Sequence, residues 1–347
     1  MTGRGEQLAG NALKLHRRSG SRRRLVLSAA GVVLAVSGGG TTALADESGA
    51  SFWLLGSYAS QAAVPGTPGW SVDTTYYYGS ASADRGASFA RGGRIEAGID
   101  TRANYFLVTP SYAFETPILG GQFGFGVTVL AGNYSSVVSA TLVAPSGASL
   151  SGSTADSMTA LGDAYPTATL KWTQGVHNFM TYVTANVPIG AYDINRQATV
   201  GLGRWALDGG VGYTYFDEDK GHEISAVVGF TYNFMNPHTA YRSGIDMHVE
   251  LSASQYLTDR FLVGVAGYFY NQLTGDDGPG AVLGPFMSRV AGVGPQVSYD
   301  FVLGGRSASL STRGYYEFAG QYRPQGWNAW LTLLIALGPP RKAAKPV

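Results

Sequence analysis

The sequence predicts an all-β fold, a transmembrane antiparallel β-barrel of about twelve strands that follows a cleaved signal peptide. Three observations predict this fold. Only 14% of the residues are charged, while the chain has 49 Gly, 21 Tyr and no Cys. From about Trp70, apolar and polar residues alternate in segments of roughly ten to fourteen residues, which is the periodicity of strands. Tight and long connections alternate between these segments, as in barrels with short periplasmic turns and long outer loops.

The first 45 residues predict a signal peptide for export. A basic stretch at 17–24 precedes an apolar run from Leu25 to about Gly38, and Ala43-Leu44-Ala45 then forms a cleavage site before Asp46. A membrane anchor is the alternative, but the apolar run is shorter than the ~20 residues that span a bilayer. Residues 21–25 resemble a twin-arginine signal, yet a lipid-facing barrel cannot fold before it reaches its membrane. Sec-type export to a Gram-negative outer membrane is therefore favoured.

The charge of the mature chain argues against a nucleic-acid partner. Without the leader, 17 Lys and Arg face 22 Asp and Glu, a net charge of −5, and no basic patch remains. The absence of Cys excludes disulfides and thiolate metal sites, and we expect no cofactor. Residues 46–69 are interpreted as an N-terminal periplasmic segment, 70–338 as the barrel and 339–347 as a C-terminal tail.

Strand periodicity is clearest near the middle of the chain. Between His222 and Phe234, apolar residues occupy every second position, while Glu223, Ser225, Thr231 and other small or polar residues lie between them. The predicted strands cover residues 70–79, 103–116, 121–134, 159–173, 176–188, 202–215, 222–235, 244–257, 260–271, 289–303, 307–320 and 326–337.

Six longer connections are predicted to form the outer loops, at residues 80–102, 135–158, 189–201, 236–243, 272–288 and 321–325. The loop at 135–158 is rich in Ser, Thr, Ala and Gly, so it either folds inward as a constriction or is mobile. Pro110, Pro166 and Pro295 interrupt strand patterns, where they mark bulges or the ends of strands.

Charged residues lie on the faces opposite the apolar ones, which in a barrel places them in one lumen. Mixed charge of this kind fits a field that orients a permeating solute, and Tyr105, Tyr165, Tyr182 and Tyr315 are further lumen candidates. Alternatively, Lys171, Arg204 and Arg313 pair with Asp163, Asp208 and Glu317 and fill a narrow barrel. The predicted lumen residues are Glu115, Asp163, Lys171, Arg204, Asp208, Glu223, Asp246, His248, Glu250, Asp300, Arg313 and Glu317.

A soluble β-sandwich also alternates every second residue, so it is the main alternative fold. Its apolar faces would have to cover one another. Aromatic residues near the strand ends instead suit the two interfacial girdles of a membrane barrel. The predicted girdle residues are Trp172, Trp205, Tyr213, Tyr215, Phe234, Tyr256, Phe301 and Trp327.

Six stretches between about Gly162 and Leu337, half of the chain, resemble one known family, the outer-membrane β-barrel proteins of the meta-pathway of phenol degradation. They are Gly162-Asp163 with Pro166 and Lys171-Trp172, VPIGAYD at 187–193, YNFMNPHTAYRSG at 232–244, GYFYNQLTGDDG at 267–278, GVGPQVSYDF at 292–301 and RPQGWNAWL at 323–331. The resemblance implies a transporter-like barrel that passes aromatic or hydrophobic compounds for catabolism. The ending GPPRKAAKPV departs from the strand-terminal aromatic that the barrel-assembly machinery reads.

Two possible metal sites and an enzymatic function are weighed against simpler interpretations. Asp246, His248 and Glu250 share a strand face, but side chains two residues apart lie ~7 Å from one another, too far to close on one ion. Asp276-Asp277-Gly278 lacks the spacing of a full calcium loop and is interpreted as a turn. No G-x-S-x-G, H-E-x-x-H or phosphate loop is present. We therefore expect no enzyme and no metal.

The sequence thus predicts an outer-membrane channel for small aromatic or hydrophobic molecules. Its expected partners are outer-membrane lipid, the solute and the barrel-assembly machinery. The competing interpretation is a closed structural or surface-interaction barrel that transports nothing, and a third is an outer-membrane enzyme.

Overall fold

The computed structural model describes residues 47, 51–88, 94–282 and 284–338, and it is built from strands. The predicted signal peptide and the predicted C-terminal tail lie outside the described residues. The strands are β1 (Gly69–Ser88), β2 (Arg94–Ala113), β3 (Gln122–Val143), β4 (Ser149–Gln174), β5 (His177–Asn186), β6 (Ala206–Asp217), β7 (His222–Asn233), β8 (Asp246–Thr258), β9 (Phe261–Gln272), β10 (Arg289–Leu303), β11 (Arg306–Gln321) and β12 (Gln325–Ala336).

These strands form a closed antiparallel barrel in which each strand pairs with its neighbours in sequence. β1 and β12 close the barrel through a register that runs from Ser71 opposite Ala336 to Ser82 opposite Gln325. The predicted twelve-stranded barrel is confirmed. Closure gives every strand a partner on both sides in this part of the wall, so no sheet edge is exposed there. No helix in the described part of the chain is both long and apolar enough to cross a membrane.

Burial on the barrel wall is inverted relative to a soluble protein. On β7, Glu223, Ser225 and Thr231 are at most 2% exposed, whereas Ile224 and Phe230 are 56% and 49% exposed. In a sandwich the apolar faces would be buried against one another. Here they face outward in a continuous belt, which is the arrangement of a barrel in hydrocarbon.

The two ends of the barrel differ in the length of their connections, as predicted. At one end, residues 187–205, 234–245 and 273–288 form long connections, and we call it the long-loop end. At the other end, the short-turn end, tight turns join the strands. The β10–β11 turn is one of them, and its central residues Gly304 and Gly305 have φ of 57° and 77°. Such turns need two residues in the left-handed region, which glycine adopts without steric cost.

The first four strands are longer than predicted. β1 to β4 have 20, 20, 22 and 26 residues, whereas ~9–11 residues are enough to cross a bilayer. Most of the loop predicted at 135–158 is in fact a paired hairpin, with Ser135 opposite Ser157 and Val143 opposite Ser149. Much of 80–102 also pairs, from Ser80 opposite Arg102 to Ser88 opposite Arg94. The two predicted loops are thus strand extensions at the long-loop end.

The three prolines lie inside strands rather than at strand ends. Pro110 is in β2, Pro166 in β4 and Pro295 in β10. The β3–β4 register shifts between Val129 and Ala131, close to the level of Pro166. An irregularity in the ladder near a residue without an N–H is the expected accommodation.

The segment before β1 differs most from the sequence-based interpretation. It was expected in the periplasm, but residues 51–68, which we call the plug, enter the lumen and contact its wall. Phe52, Trp53 and Leu55 are at most 8% exposed and Ala63 is fully buried. These apolar side chains pack better inside the barrel than in water, which is the physical reason for the difference.

Candidate functional site: a plugged, aromatic-lined lumen

The lumen is divided lengthwise between the plug and a cavity. The plug hydrogen-bonds mainly to β6, β7, β8 and β10. The cavity lies between the plug and the opposite wall, which β1 to β4, β11 and β12 form. The predicted lumen charges therefore serve two different purposes, according to which side they occupy.

Glu250 of β8 is the central attachment point of the plug. Its carboxylate accepts hydrogen bonds from the Trp53 indole N–H at 2.9 Å, the Gly56 amide at 2.9 Å and the Tyr58 amide at 2.5 Å. Glu250 is 2% exposed. A buried carboxylate with three donors is well satisfied, so this residue fixes the path of the plug backbone.

A polar network beneath Trp53 supports this attachment. The Trp53 and His248 rings stack with centroids 3.9 Å apart. Asp208 accepts hydrogen bonds from Tyr182 Oη at 2.8 Å and Thr231 Oγ1 at 2.5 Å, and His248 Nε2 lies 3.1 Å from Tyr182 Oη. Strands β5, β6, β7 and β8 each contribute one polar member, so the network joins four strands under one face of the plug.

Further side chains hold the plug through its backbone. Arg313 Nε donates to the Gly56 carbonyl at 3.0 Å, and its guanidinium also lies over the Trp330 ring, 4.6 Å from the centroid. Glu223 accepts from the Gln61 amide at 2.9 Å. Lys171 Nζ donates to the Val64 carbonyl at 3.1 Å, close to the short-turn end. The plug is therefore bound along its length.

Glu47 is held at the long-loop end. Its carboxylate accepts from Asn236 Nδ2 at 2.7 Å and Tyr192 Oη at 3.2 Å, and Arg204 Nη1 lies 3.4 Å away. Burial, and then the nearby Glu47 carboxylate, raise the pKa of the Tyr192 phenol above its usual value, so this hydroxyl remains a donor. Asp163 accepts a hydrogen bond from the Gly190 backbone amide at 2.8 Å, which fixes the 187–205 connection that also carries Tyr192.

The cavity beside the plug has a volume of about 510 Å³. An engineered cavity of about 150 Å³ is known to bind benzene, so this space is ample for a single-ring compound. The cavity is lined by Phe52 and Leu54 of the plug and by aromatic residues of the wall. The wall aromatics whose rings face it are Tyr77, Tyr105, Tyr134, Tyr165 and Trp330.

Towards the short-turn end the lining changes from aromatic to hydroxylic. Three pairs of threonine hydroxyls, each 2.8 Å apart, join neighbouring strands there. Asp73 lines the same zone and accepts from Thr75 Oγ1 at 3.1 Å. The cavity is thus lined by aromatic rings along most of its length. Near the short-turn end it is lined by threonine hydroxyls and Asp73. The pairs are Thr75 with Thr332, Thr109 with Thr128 and Thr167 with Thr184.

Most predicted lumen residues lie on the inward face, but only a few border the cavity. Arg313 and Glu317 line it, whereas Lys171, Glu223 and Glu250 contact the plug. The remaining inward residues satisfy one another or the wall. They are Asp163, Asp208, Asp246, His248 and Asp300 on strands and Arg204 on the loop before β6.

Three details of the predicted lumen need correction. Glu115 is exposed in the turn after β2, because that strand ends at Ala113. Lys171 and Arg313 donate to plug carbonyls rather than pairing with Asp163 and Glu317. Arg204 is nearly fully buried beside Glu47, a residue that the sequence analysis did not consider.

The two metal candidates are occupied by protein contacts. Asp246 accepts from Asn233 Nδ2 at 2.8 Å, while His248 and Glu250 bind the partners described above. Asp276 accepts from Gln272 Nε2 at 2.7 Å, and Asp277 forms a separate ion pair with Arg242. The described residues contain no group of three His, Cys, Asp or Glu placed to hold a metal ion.

Sequence reasoning missed the plug residues and the threonine pairs. The run Phe52-Trp53-Leu54-Leu55 is a usable signal, since four apolar residues are out of place in a periplasmic segment. Tyr256, predicted in the aromatic girdle, instead accepts from Gln61 Nε2 of the plug at 2.9 Å. By contrast Trp205, Phe234 and Trp327 are about half exposed on the outer surface, at 52%, 45% and 50%.

Comparisons with known proteins agree with this architecture. A family model described as "Putative MetA-pathway of phenol degradation" matches residues 86–333. The comparison with curated proteins gave no match. In fold, the chain is similar to an outer membrane channel from Pseudomonas putida F1, with 13% identity and a TM-score of 0.54 over 78% of this chain and 96% of the other.

Two further solved structures align less well. A FadL homologue from Pseudomonas aeruginosa is 9% identical, with 77% of this chain and 89% of the other covered and a TM-score of 0.35. The transport unit of the autotransporter AIDA-I from Escherichia coli is 10% identical, with 78% and 91% covered and a TM-score of 0.37.

Proposed function

The chain belongs to this phenol-degradation family, and on that premise we propose that it is an outer-membrane channel for small aromatic or other hydrophobic molecules. The observation that carries the proposal is the aromatic-lined cavity of about 510 Å³ beside the plug. Ligand sites of this size are concave and mostly apolar, with a few polar groups that fix orientation. The Pseudomonas putida protein of similar fold is described as an outer membrane channel, which supports the same role here.

The wall chemistry suits a weakly hydrated aromatic solute. Rings such as Tyr77, Tyr105 and Trp330 offer edge and face contacts along the cavity, and aromatic pairs contribute roughly 0.5–1.5 kcal/mol beyond burial. The paired threonines near the short-turn end can accept or donate to a solute hydroxyl. Contacts that are individually weak and repeated allow a solute to enter and also to leave, which conduction requires.

The inverted burial supports a location in the outer membrane. Large apolar side chains are exposed on the outer face of the barrel wall, while many polar side chains are buried on its inner face. Short turns at one end and long loops at the other suit the periplasmic and extracellular sides. A non-catalytic role is favoured, because His248, Asp208 and Glu250 are tied to the wall and the plug.

A closed structural barrel is the second candidate, and the plug is the observation that favours it. The plug fills one side of the lumen and is bound to several strands. A barrel that only presents its outer loops to a partner would need no passage. The two candidates differ in whether ions and solute cross the protein.

Conductance in a planar bilayer, with and without a phenolic solute, tests the proposed function. We expect ion current through the mature protein and a reversible reduction of that current by the phenolic solute. Ala103→Trp places an indole in the cavity and should lower both the current and the effect of the solute. Val211→Trp, on the 62% exposed lipid face, is the matched control and should change neither. An absence of current in the wild type would favour the closed barrel.

A further inference from the structure

We propose that the plug stays docked while solute passes beside it, and that it sets the size limit of the channel. This inference rests on the proposed function, since a size limit has meaning only for an open passage. It makes Glu250, Glu223 and Lys171 positioning residues for selectivity, although none of them needs to touch the solute.

Charge burial is the first reason to expect a fixed plug. Glu250 and Glu223 are 2% and 1% exposed, and each accepts from plug amides. The three donors to Glu250 seen among the described residues all belong to the plug. Withdrawal of the plug would break these charge-assisted hydrogen bonds together and would expose the apolar side chains of Phe52, Trp53 and Leu55 to water, so both effects favour the docked state.

The attachments also extend over the whole height of the barrel. Glu47 is bound at the long-loop end by Asn236 and Tyr192, and the Val64 carbonyl is bound by Lys171 near the short-turn end. β1 then begins at Gly69 and is covalently continuous with the plug. A chain held at both mouths cannot swing out as a hinged lid would, because release at one end leaves the other attached.

The plug forms one wall of the passage, which is why it limits size. Phe52, Leu54 and Tyr58 line the cavity on one side, and Tyr77 and Tyr105 face them from the barrel wall. If the plug were displaced, the cavity would merge with the space that the plug residues now occupy, Trp53 included. The undocked barrel would therefore pass larger solutes with less discrimination.

Weakening the central attachment gives the first test. Glu250→Gln removes the charge that three plug donors share, and we expect a severalfold rise in conductance and faster liposome swelling with neutral sugars of increasing size. Asp246→Asn is the matched control, because it also removes one buried lumen carboxylate, which accepts from Asn233 Nδ2 of the wall. Equal behaviour of the two variants would overturn the assigned role of Glu250.

A cross-link gives the second test and does not depend on a destabilised variant. Ser60 Oγ of the plug lies 2.6 Å from Ser254 Oγ of β8, and the chain has no native Cys. In the double variant Ser60→Cys and Ser254→Cys, an oxidised disulfide would lock the plug to the wall. We expect wild-type conductance and an unchanged response to the phenolic solute in the oxidised form, with Ser254→Cys alone as control.

The outcomes separate the inference from the proposed function. If the wild type conducts but the oxidised double variant does not, the plug must move and the inference fails, while the channel function stands. If the wild type does not conduct but Glu250→Gln or the reduced double variant does, the docked plug closes the barrel and the inference is overturned. If no variant conducts, both proposals fail. Conduction by the wild type and the cross-linked form alike, together with a wider pore in Glu250→Gln, supports the inference.

Discussion

Gly229 shows how tightly the lumen network is packed at the level of single residues. A Cβ at this position of β7 would overlap both Tyr182 Oη and the His248 ring. These atoms belong to the buried network under Trp53, so they cannot move aside without breaking hydrogen bonds. The absence of a side chain at Gly229 is therefore a packing requirement, because it leaves room for Tyr182 of β5 to reach His248 of β8.

We predict that Gly229→Ala lowers the free energy of unfolding by about 1–3 kcal/mol, the usual cost of overpacking a filled interior. The urea midpoint in detergent micelles measures this. Gly152→Ala in β4 is the control, because a Cβ there meets nothing within 4 Å, and it should leave the midpoint nearly unchanged. A shift of equal size in both variants would contradict the packing argument.

Residue-scale prediction succeeded where strand parity was the only information needed. Glu223, Asp246 and Glu250 fall on the inward face because alternate residues point the same way. Glu115 failed because parity means nothing beyond the end of β2. The partners of these charges were not predictable, since the plug residues that bind Glu250 precede it by nearly two hundred positions.

At the scale of strands, the outward faces differ between the barrel wall and the extensions. Leu251 lies in the middle of β8 and is 52% exposed, and Ser139 lies exposed in the β3 extension, on the face opposite the buried Ala140. Ser139 is level with Gly98 and Asp84, beyond the last β1–β12 pair, Ser82 opposite Gln325. Both side chains face outward, but only Leu251 is at a height that hydrocarbon would cover.

Arginine at these two positions should therefore have unequal effects. We expect Leu251→Arg to destabilise the folded barrel by about 2–4 kcal/mol, the cost of a cation near the bilayer midplane. Ser139→Arg should cost under about 1 kcal/mol, because an exposed position meets water. Folding into lipid vesicles, followed by urea titration, measures the difference. Equal costs would mean that the extension is also immersed in lipid.

The same contrast explains which elements the sequence could predict. Strands β5 to β10 alternate because one face meets lipid and the other meets the lumen. The extensions, such as SLSGSTADSM at 149–158, are small and polar on both faces, since neither face there needs an apolar surface. Because apolar and polar residues do not alternate in these extensions, their sequences resemble those of loops. The plug was missed for another reason, because a segment that joins no sheet has no periodicity to recognise.

The whole molecule can be described as a barrel whose lumen has two chemically different sides. One side carries buried acids that bind the plug, and the other carries rings and hydroxyls around an open cavity. Placing the acids against plug amides satisfies them within protein and leaves few charges facing the cavity. In the proposed channel, selectivity would arise from the shape of the cavity and from the few charges that line it.

Asp73 is one of those remaining charges, and it gives a prediction about ion preference. It lines the cavity near the short-turn end among paired threonines, and the other charged side chains of the described lining are Glu317, Arg313 and Arg323. A unit charge about 8 Å from an ion in water changes the ion's energy by about 0.5 kcal/mol, a factor of about two. The two acids and two bases of this lining balance, so we expect Asp73→Asn to lower the permeability of cations relative to anions about twofold, measured as the reversal potential in a KCl gradient. Asp259→Asn, which removes the same charge from an exposed turn outside the lumen, should leave that potential unchanged. An equal response to the two substitutions would show that ions do not pass Asp73, and the route would have to lie elsewhere in the barrel.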